Sequence, residues 1–299
     1  MNSWLSAMRL RTLPLSIAGI ITGGGMAYHD SRATFDPLVF ILAILTALIL
    51  QILSNFANDY GDFENGADNE NRKGPLRAVQ SGAITARLMK RVIIISAIMA
   101  LLSGLVLLYV AFANIDFRLI FFLLIGVGCI AAALKYTMGS NPYGYKGLGD
   151  VFVFIFFGLV SSCGTYYLLS HTFPWDILLP SISIGAWSTA VLNLNNLRDM
   201  ENDQASGKIT IPVRIGKSNG LRYQFLLMTT PFLCNLFYAL HRGNMVLFFF
   251  MIGTLALAVA LFRPLFDNPS HGTLDRFLKK TALFSLLFTL LFLLGMRFN

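Results

Sequence analysis

Two short runs place oxygen-bearing side chains at helical spacing. In the first, Gln51, Asn55, Asn58 and Asp62 recur at intervals of four, three and four residues, which stacks them on one helix face. Asp59 lies three residues before Asp62. In the second, Asn195, Asp199 and Asp203 follow at intervals of four, with Asn196 three residues before Asp199. Asn58 and Asp62 thus share an Asn-x3-Asp pattern with Asn195 and Asp199, 137 residues further on. No His or Cys stands with either cluster. Carboxylates and amides alone suit a hard cation, and Mg2+ is favoured where phosphate oxygens complete an octahedral shell. Arg72, Lys73 and Arg77 follow the first cluster, Lys208 and Arg214 the second, and Lys146 lies between them. Mg2+ with Arg and Lys can clamp a diphosphate and stabilise the charge that builds on it as it leaves.

A lone Asp in a loop is usually solvated, and Glu64, Asp68, Glu70 and Glu201 are individually ambiguous. Two matched clusters are different, because each ends a long apolar run, as in "LVFILAILTALILQIL" before Asn55. Ionisable groups at such positions are functional candidates by default.

The elements that must position these residues are membrane helices. Of 299 residues, 56% are hydrophobic and 13% charged, against about 25% charged in a soluble domain. Mean hydropathy is +0.65. A bilayer core takes roughly 20 apolar residues as helix. Nine runs qualify, at approximately 12–29, 37–58, 91–112, 117–135, 149–170, 175–198, 223–240, 244–263 and 281–298. The expectation is a single all-α domain, a polytopic bundle of about nine transmembrane helices around a central cavity. Its half-bundles are about 1–140 and 141–299. Residues 1–11 read as an interfacial anchor with no removable signal peptide. Cys129, Cys163 and Cys234 form no CxxC pair, so no zinc site or disulfide framework is expected.

The formal charge of +8 carries no basic stripe with interleaved aromatics, so nucleic acid is not an expected partner. Cytoplasmic loops of membrane proteins carry excess Lys and Arg. With the N-terminus inside, 19 of the 23 cations fall on the cytoplasmic side of a nine-span chain. That arrangement puts the C-terminus outside and both acidic clusters at the cytoplasmic face, in long loops at about 59–90 and 199–222. An ion-coupled transporter is the rival reading. Its polar groups belong near the membrane midplane, at interrupted helices, whereas these acids end their helices.

The sequence also resembles the UbiA superfamily of intramembrane prenyltransferases. "NDYGD" at 58–62 is similar to the family's first acidic motif, "DMEND" at 199–203 to its second, and Tyr143 with Lys146 to a Tyr-x-x-Lys element. The first motif's third acid would fall at Gly66, and Asp68 is the nearest substitute. "RLRTLPLS", "GPLRAVQSG" and "YGYKGLGDVFVFIFFG" look most like the branch acting on 1,4-dihydroxy-2-naphthoate in menaquinone biosynthesis. The resemblance implies a cavity open sideways to lipid. It implies that Asn58, Asp62, Asp199 and Asp203 hold Mg2+ on a polyprenyl diphosphate, with Asp59 and Asp68 as further candidates. Tyr143 and Lys146 would contact the diphosphate, helped by Arg77, Arg11, Arg72 and Lys208. Asp62, Asp199, Tyr143 and Lys146 would then be catalytic. The implied substrates are polyprenyl diphosphate and the dihydroxynaphthoate, with 4-hydroxybenzoate as the alternative acceptor, in a bacterial inner membrane.

Overall fold

The computed structural model describes residues 3–298 except 70–73, 75 and 268, and it excludes the side chain of Arg11. Short helix α1 (Ser3–Met8) and a 3-10 turn (Leu10–Thr12) lead into α2 (Leu13–Asp30) and α3 (Pro37–Glu64). Then come α4 (Ala86–Phe112) and α5 (Phe117–Lys135). A 3-10 turn (Tyr143–Lys146) precedes α6 (Gly149–Val153), which runs through a π-helical stretch (Phe154–Val160) into α7 (Ser161–Ser170). The chain closes with α8 (Leu178–Ala205), α9 (Ile211–His241), α10 (Met245–Asp267) and α11 (His271–Met296). The described residues form no strand. Seven of these helical rods are long and apolar enough to cross a bilayer, with α2 and α9 beside them, and the chain is a multi-pass membrane protein. The rods overlie the nine apolar runs of the sequence.

Helix starts follow local chemistry. The Asp36 carboxylate accepts from the Leu38 amide ahead of α3, with Pro37 in the first turn. Thr85 and Asp116 cap α4 and α5 in the same way. Such caps satisfy amides that have no partner inside the helix.

The second acidic loop is mostly helix. Instead of a connection over 199–222, α8 continues to Ala205 and α9 begins at Ile211. Pro212 in the first turn explains the early start. The chain then bends at Gly216, whose φ of 79° is left-handed.

Burial ranks the helices. In its most apolar stretch, the Trp175–Ala205 rod is 78% buried and α5 only 6%, so α8 is the central post and α5 faces lipid. Trp187 of α8 is fully buried among Phe232, Phe262, Phe284 and Phe288. Polar groups on α8 face protein, with Asn193 bonded to Gln224 at 2.9 Å and Ser183 to Asn235 at 3.0 Å. Bonding of this kind ties helices together where lipid offers no partner. Gly158 and Gly185 allow the π-helical stretch to touch α8, since a Cβ on Gly158 would lie 2.5 Å from the Gly185 Cα.

A second, smaller core joins Ala7, Leu53, Phe56, Ala78, Val79, Ile84 and Met89. Here the N-terminal arm is more than an interfacial anchor. Trp4 meets Phe56 edge-on at 5.9 Å, and Asn55 donates to the Met8 carbonyl at 2.8 Å. This core also fixes the turn after Arg77 against the end of α3. At the opposite end of the bundle, Arg242 bonds Asp30 at 3.0 Å and also Asp176, tying α2 and α9 to the start of the α8 rod.

Candidate active site

The polar face expected on α3 exists as such. Gln51, Asn55, Asn58 and Asp62 all line one cavity of about 840 Å³. Asn195 of α8 lines it from another wall, with Arg77 and Lys208 at the same polar end. Its remaining wall is largely apolar and reaches residues such as Leu105, Phe117, Phe121 and Phe173. Leu105 is 40% exposed and Phe121 49%, both within the apolar lengths of α4 and α5, so that wall opens on the lipid-facing surface.

At the polar end an ionic cluster is buried. Asp62 Oδ2 accepts from Arg77 Nη1 at 2.6 Å. Asp62 Oδ1 accepts from the Tyr145 hydroxyl at 2.9 Å and lies 3.5 Å from the Lys208 ammonium. Arg77 Nη1 also donates to the Asn58 carbonyl at 2.7 Å and pairs with Asp68 at 3.1 Å. The Lys208 ammonium lies 3.8 Å from Asp203 Oδ1 as well. Burial alone would push the Arg77 guanidinium down, but Asp62 and Asp68 outweigh it and hold it above its usual value. Lys208 is likewise raised, because Asp62 and Asp203 overcome its desolvation. Both therefore stay cationic. Burial, then the Asp62 charge, pushes the Tyr145 phenol up, which keeps it a donor.

This end fits a divalent cation. Among the described residues, Asp62, Asp68 and Asp203 are buried against Arg77 and Lys208. Asp203 Oδ2 is buried without a hydrogen-bond partner among the described residues. No three Asp, Glu, His or Cys side chains among those residues form a ready cage. Mg2+ commonly needs no such cage, because one or two carboxylates and substrate phosphates suffice.

The other expected residues land unevenly. Asn58 faces the cavity, and its side-chain oxygen accepts from Thr137 at 3.3 Å. Asp59 faces away and accepts from the Ala78 and Val79 amides at 3.2 and 3.3 Å, which makes it an anchor for the Arg77 turn. Asp199, like Asp203, lies just behind the cavity wall, but it accepts two bonds from Arg198, at 2.8 and 2.7 Å, where Asp203 meets Lys208. Arg198 continues to Asp275 of α11 at 2.7 Å. Tyr143 lines the cavity with its ring stacked on Phe152, but its hydroxyl donates to the Ala132 carbonyl at 2.8 Å. Lys146 is exposed and outside the cavity wall, and its carbonyl accepts from Arg214. The buried ammonium of the cluster is Lys208, because Asp62 and Asp203 compensate it there. Arg72 and the side chain of Arg11 lie outside the described residues.

Two contributors escaped the sequence reading. Tyr145 reaches Asp62 while its neighbours in "YGYK" do not, and nothing in that spacing separates it from Tyr143. Arg9 lines the cavity from a left-handed backbone, φ 50°, a conformation that apolar periodicity does not signal.

The loop carrying Tyr145 gets this close because of Gly61. A Cβ there would lie 2.5 Å from the Thr137 hydroxyl and 2.6 Å from the Thr137 carbonyl oxygen. Chemically, the arrangement offers cations and a phenol for a phosphate-rich group, carboxylates for a metal, and an apolar trough for a hydrocarbon chain.

The sequence matches the UbiA prenyltransferase family over residues 18–295. It is 41% identical over 298 residues to a 1,4-dihydroxy-2-naphthoate octaprenyltransferase of Haemophilus influenzae, covering 99% of this chain and 96% of that one. A protein of the same name from Escherichia coli is 42% identical over 295 residues, 98% of this chain and 94% of that one. Among solved structures, a UbiA homolog from Archaeoglobus fulgidus bound to GPP and Mg2+ matches with a TM-score of 0.69, over 99% of both chains at 15% identity. A UbiA homolog from Aeropyrum pernix gives 0.68, covering 97% of this chain and 98% of that one at 17% identity. At those identities the likeness is one of fold.

Proposed function

The chain belongs to the UbiA prenyltransferase family, and on that premise we propose that it transfers a polyprenyl group from polyprenyl diphosphate to 1,4-dihydroxy-2-naphthoate. The products are demethylmenaquinol, CO2 and pyrophosphate. The observation that carries this reading is the joining of a buried acid and cation cluster to an apolar trough in one cavity. A diphosphate with a hydrocarbon tail has the same two-ended character.

Arg77 and Lys208 bind the diphosphate and take up the charge that grows as the allylic C–O bond breaks toward it. Asp62, Asp203 and the Asn58 side-chain oxygen would hold Mg2+, which supplies further positive charge there when bound, with Asp199 and Asp68 as outer supports. The apolar wall keeps water from the allylic cation, and the faces of Tyr136 and Tyr143 near the polar end stabilise it. The ring carbon bearing the carboxylate then donates an electron pair to form the new C–C bond. The bond to the carboxylate breaks, CO2 leaves, and its electron pair restores the aromatic ring.

The cation bias supports an orientation with the N-terminus and the diphosphate end cytoplasmic, in the bacterial inner membrane. That side supplies the water-soluble acceptor, while the bilayer supplies the tail. The test is incubation of purified, reconstituted protein with Mg2+, a polyprenyl diphosphate and either 1,4-dihydroxy-2-naphthoate or 4-hydroxybenzoate. Mass spectrometry should find a decarboxylated prenyl naphthoquinol. A prenylated hydroxybenzoate alone would replace the acceptor assigned here.

A further inference from the structure

Asp62 presents two unlike oxygens. Oδ2 is held by Arg77, itself locked against Asp68 and the Asn58 carbonyl. Oδ1 meets the Tyr145 hydroxyl and, at longer range, Lys208. Tyr145 has two further attachments. Its ring backs the Lys208 ammonium, 5.3 Å from the ring centroid, and its carbonyl accepts from the Ile209 amide at 3.0 Å. One residue therefore touches the acid of α3 with its hydroxyl, the cation with its ring, and the α8–α9 connector with its backbone.

A phenol bonded to a carboxylate beside an ammonium is a donor already aimed at anions, and hydrogen bonds to charged oxygens are the strong ones. Diphosphate oxygens arriving at this end offer it an alternative partner. Mg2+ held between Asp203 and Asp62 needs an Asp62 oxygen, and Arg77 holds one while the phenol occupies the other.

We propose that Tyr145 is a positioning residue that exchanges partners, its hydroxyl holding Asp62 Oδ1 against metal until diphosphate arrives and then passing to a diphosphate oxygen. This rests on the reading of the polar end as a diphosphate site. Lys208 travels with the ring and stays beside the same anion. Metal alone binds weakly, because it must displace a charge-assisted bond, and metal with diphosphate binds as a unit. The coupling is a free energy between two ligands, so it is reciprocal.

Tyr145→Phe in full-length protein in lipid nanodiscs separates the hydroxyl from the ring and backbone. Mn2+ alone, followed by electron paramagnetic resonance, should bind roughly three- to tenfold tighter to the variant, since the competing bond is gone. Inorganic pyrophosphate at saturating Mn2+ should bind roughly tenfold weaker by calorimetry, since a charge-assisted donor is lost. Opposite signs are the signature of exchange. A merely structural role would weaken both or change neither, and either outcome overturns the proposal. Tyr145→Ala, which also removes the support of Lys208, should weaken pyrophosphate binding further than Tyr145→Phe.

A second readout keeps the phenol. In otherwise wild-type protein, 3-fluorotyrosine at position 145 should show a 19F shift with Mg2+ and pyrophosphate together, and little with Mg2+ alone. No shift with both present refutes the exchange. Neither measurement uses the aromatic acceptor. Failure of wild-type prenyl transfer to 1,4-dihydroxy-2-naphthoate would therefore count against the proposed function and leave the Tyr145 result to stand on its own.

Discussion

Lys208 and Lys146 are the most instructive pair of residues. Both follow from the same sequence logic, a cation near an acidic motif, yet Lys208 is 5% exposed between two carboxylates and Lys146 lies on the surface. Lys208→Met should lower turnover roughly 10²- to 10³-fold, the scale of losing one donor to developing charge. Lys146→Met should lower it less than about threefold, as expected of an exposed cation. Initial rates at saturating prenyl diphosphate, normalised to folded protein, make the comparison, and equal losses would contradict the assignment. Residue types and helical spacing made the α3 face legible, because Gln51, Asn55, Asn58 and Asp62 need only helix geometry to converge. Helical spacing alone did not distinguish Asp59 from Asp62, since Asp59 is committed by amides 19 and 20 residues away in sequence. Nor did it select Tyr145 over Tyr143, because orientation in a single 3-10 turn carries no periodic signal.

At the scale of elements, Gly61 decides how closely the Tyr145 loop approaches α3. Gly61→Ala would force Thr137 backbone outward at a cost of about 1–3 kcal/mol. Its thermal midpoint and its Mg2+-dependent rate should fall together. Gly253→Ala in α10, where an added Cβ meets nothing within 4 Å, should hold or slightly raise the midpoint, since Ala is the better helix former. A Gly61→Ala protein indistinguishable from Gly253→Ala would dismiss the close-approach argument. The nine apolar runs were readable from composition, and their boundaries moved mainly at the ends that carry the acidic clusters. There α3 and α8 continue as helix beyond the apolar residues, because their polar ends face protein. The π-helical stretch in the 149–170 rod was not readable, since its apolar composition is that of any membrane span.

For the whole molecule, orientation is the first quantity to test. A reporter inserted within 64–72 should read as cytoplasmic and one at the C-terminus as external, and both on one side would refute the nine-span arrangement. The cavity's exposed aromatic rim has a practical consequence. A mouth that takes hydrocarbon from the bilayer will not distinguish a prenyl tail from the alkyl chain of a solubilising surfactant. Maltosides with long chains should compete with polyprenyl diphosphate and raise its apparent KM in step with chain length and micelle concentration. They should leave pyrophosphate binding at the charged end untouched. Transfer of the same protein into nanodiscs should remove the effect, so apparent affinities measured in micelles would report the surfactant as much as the enzyme.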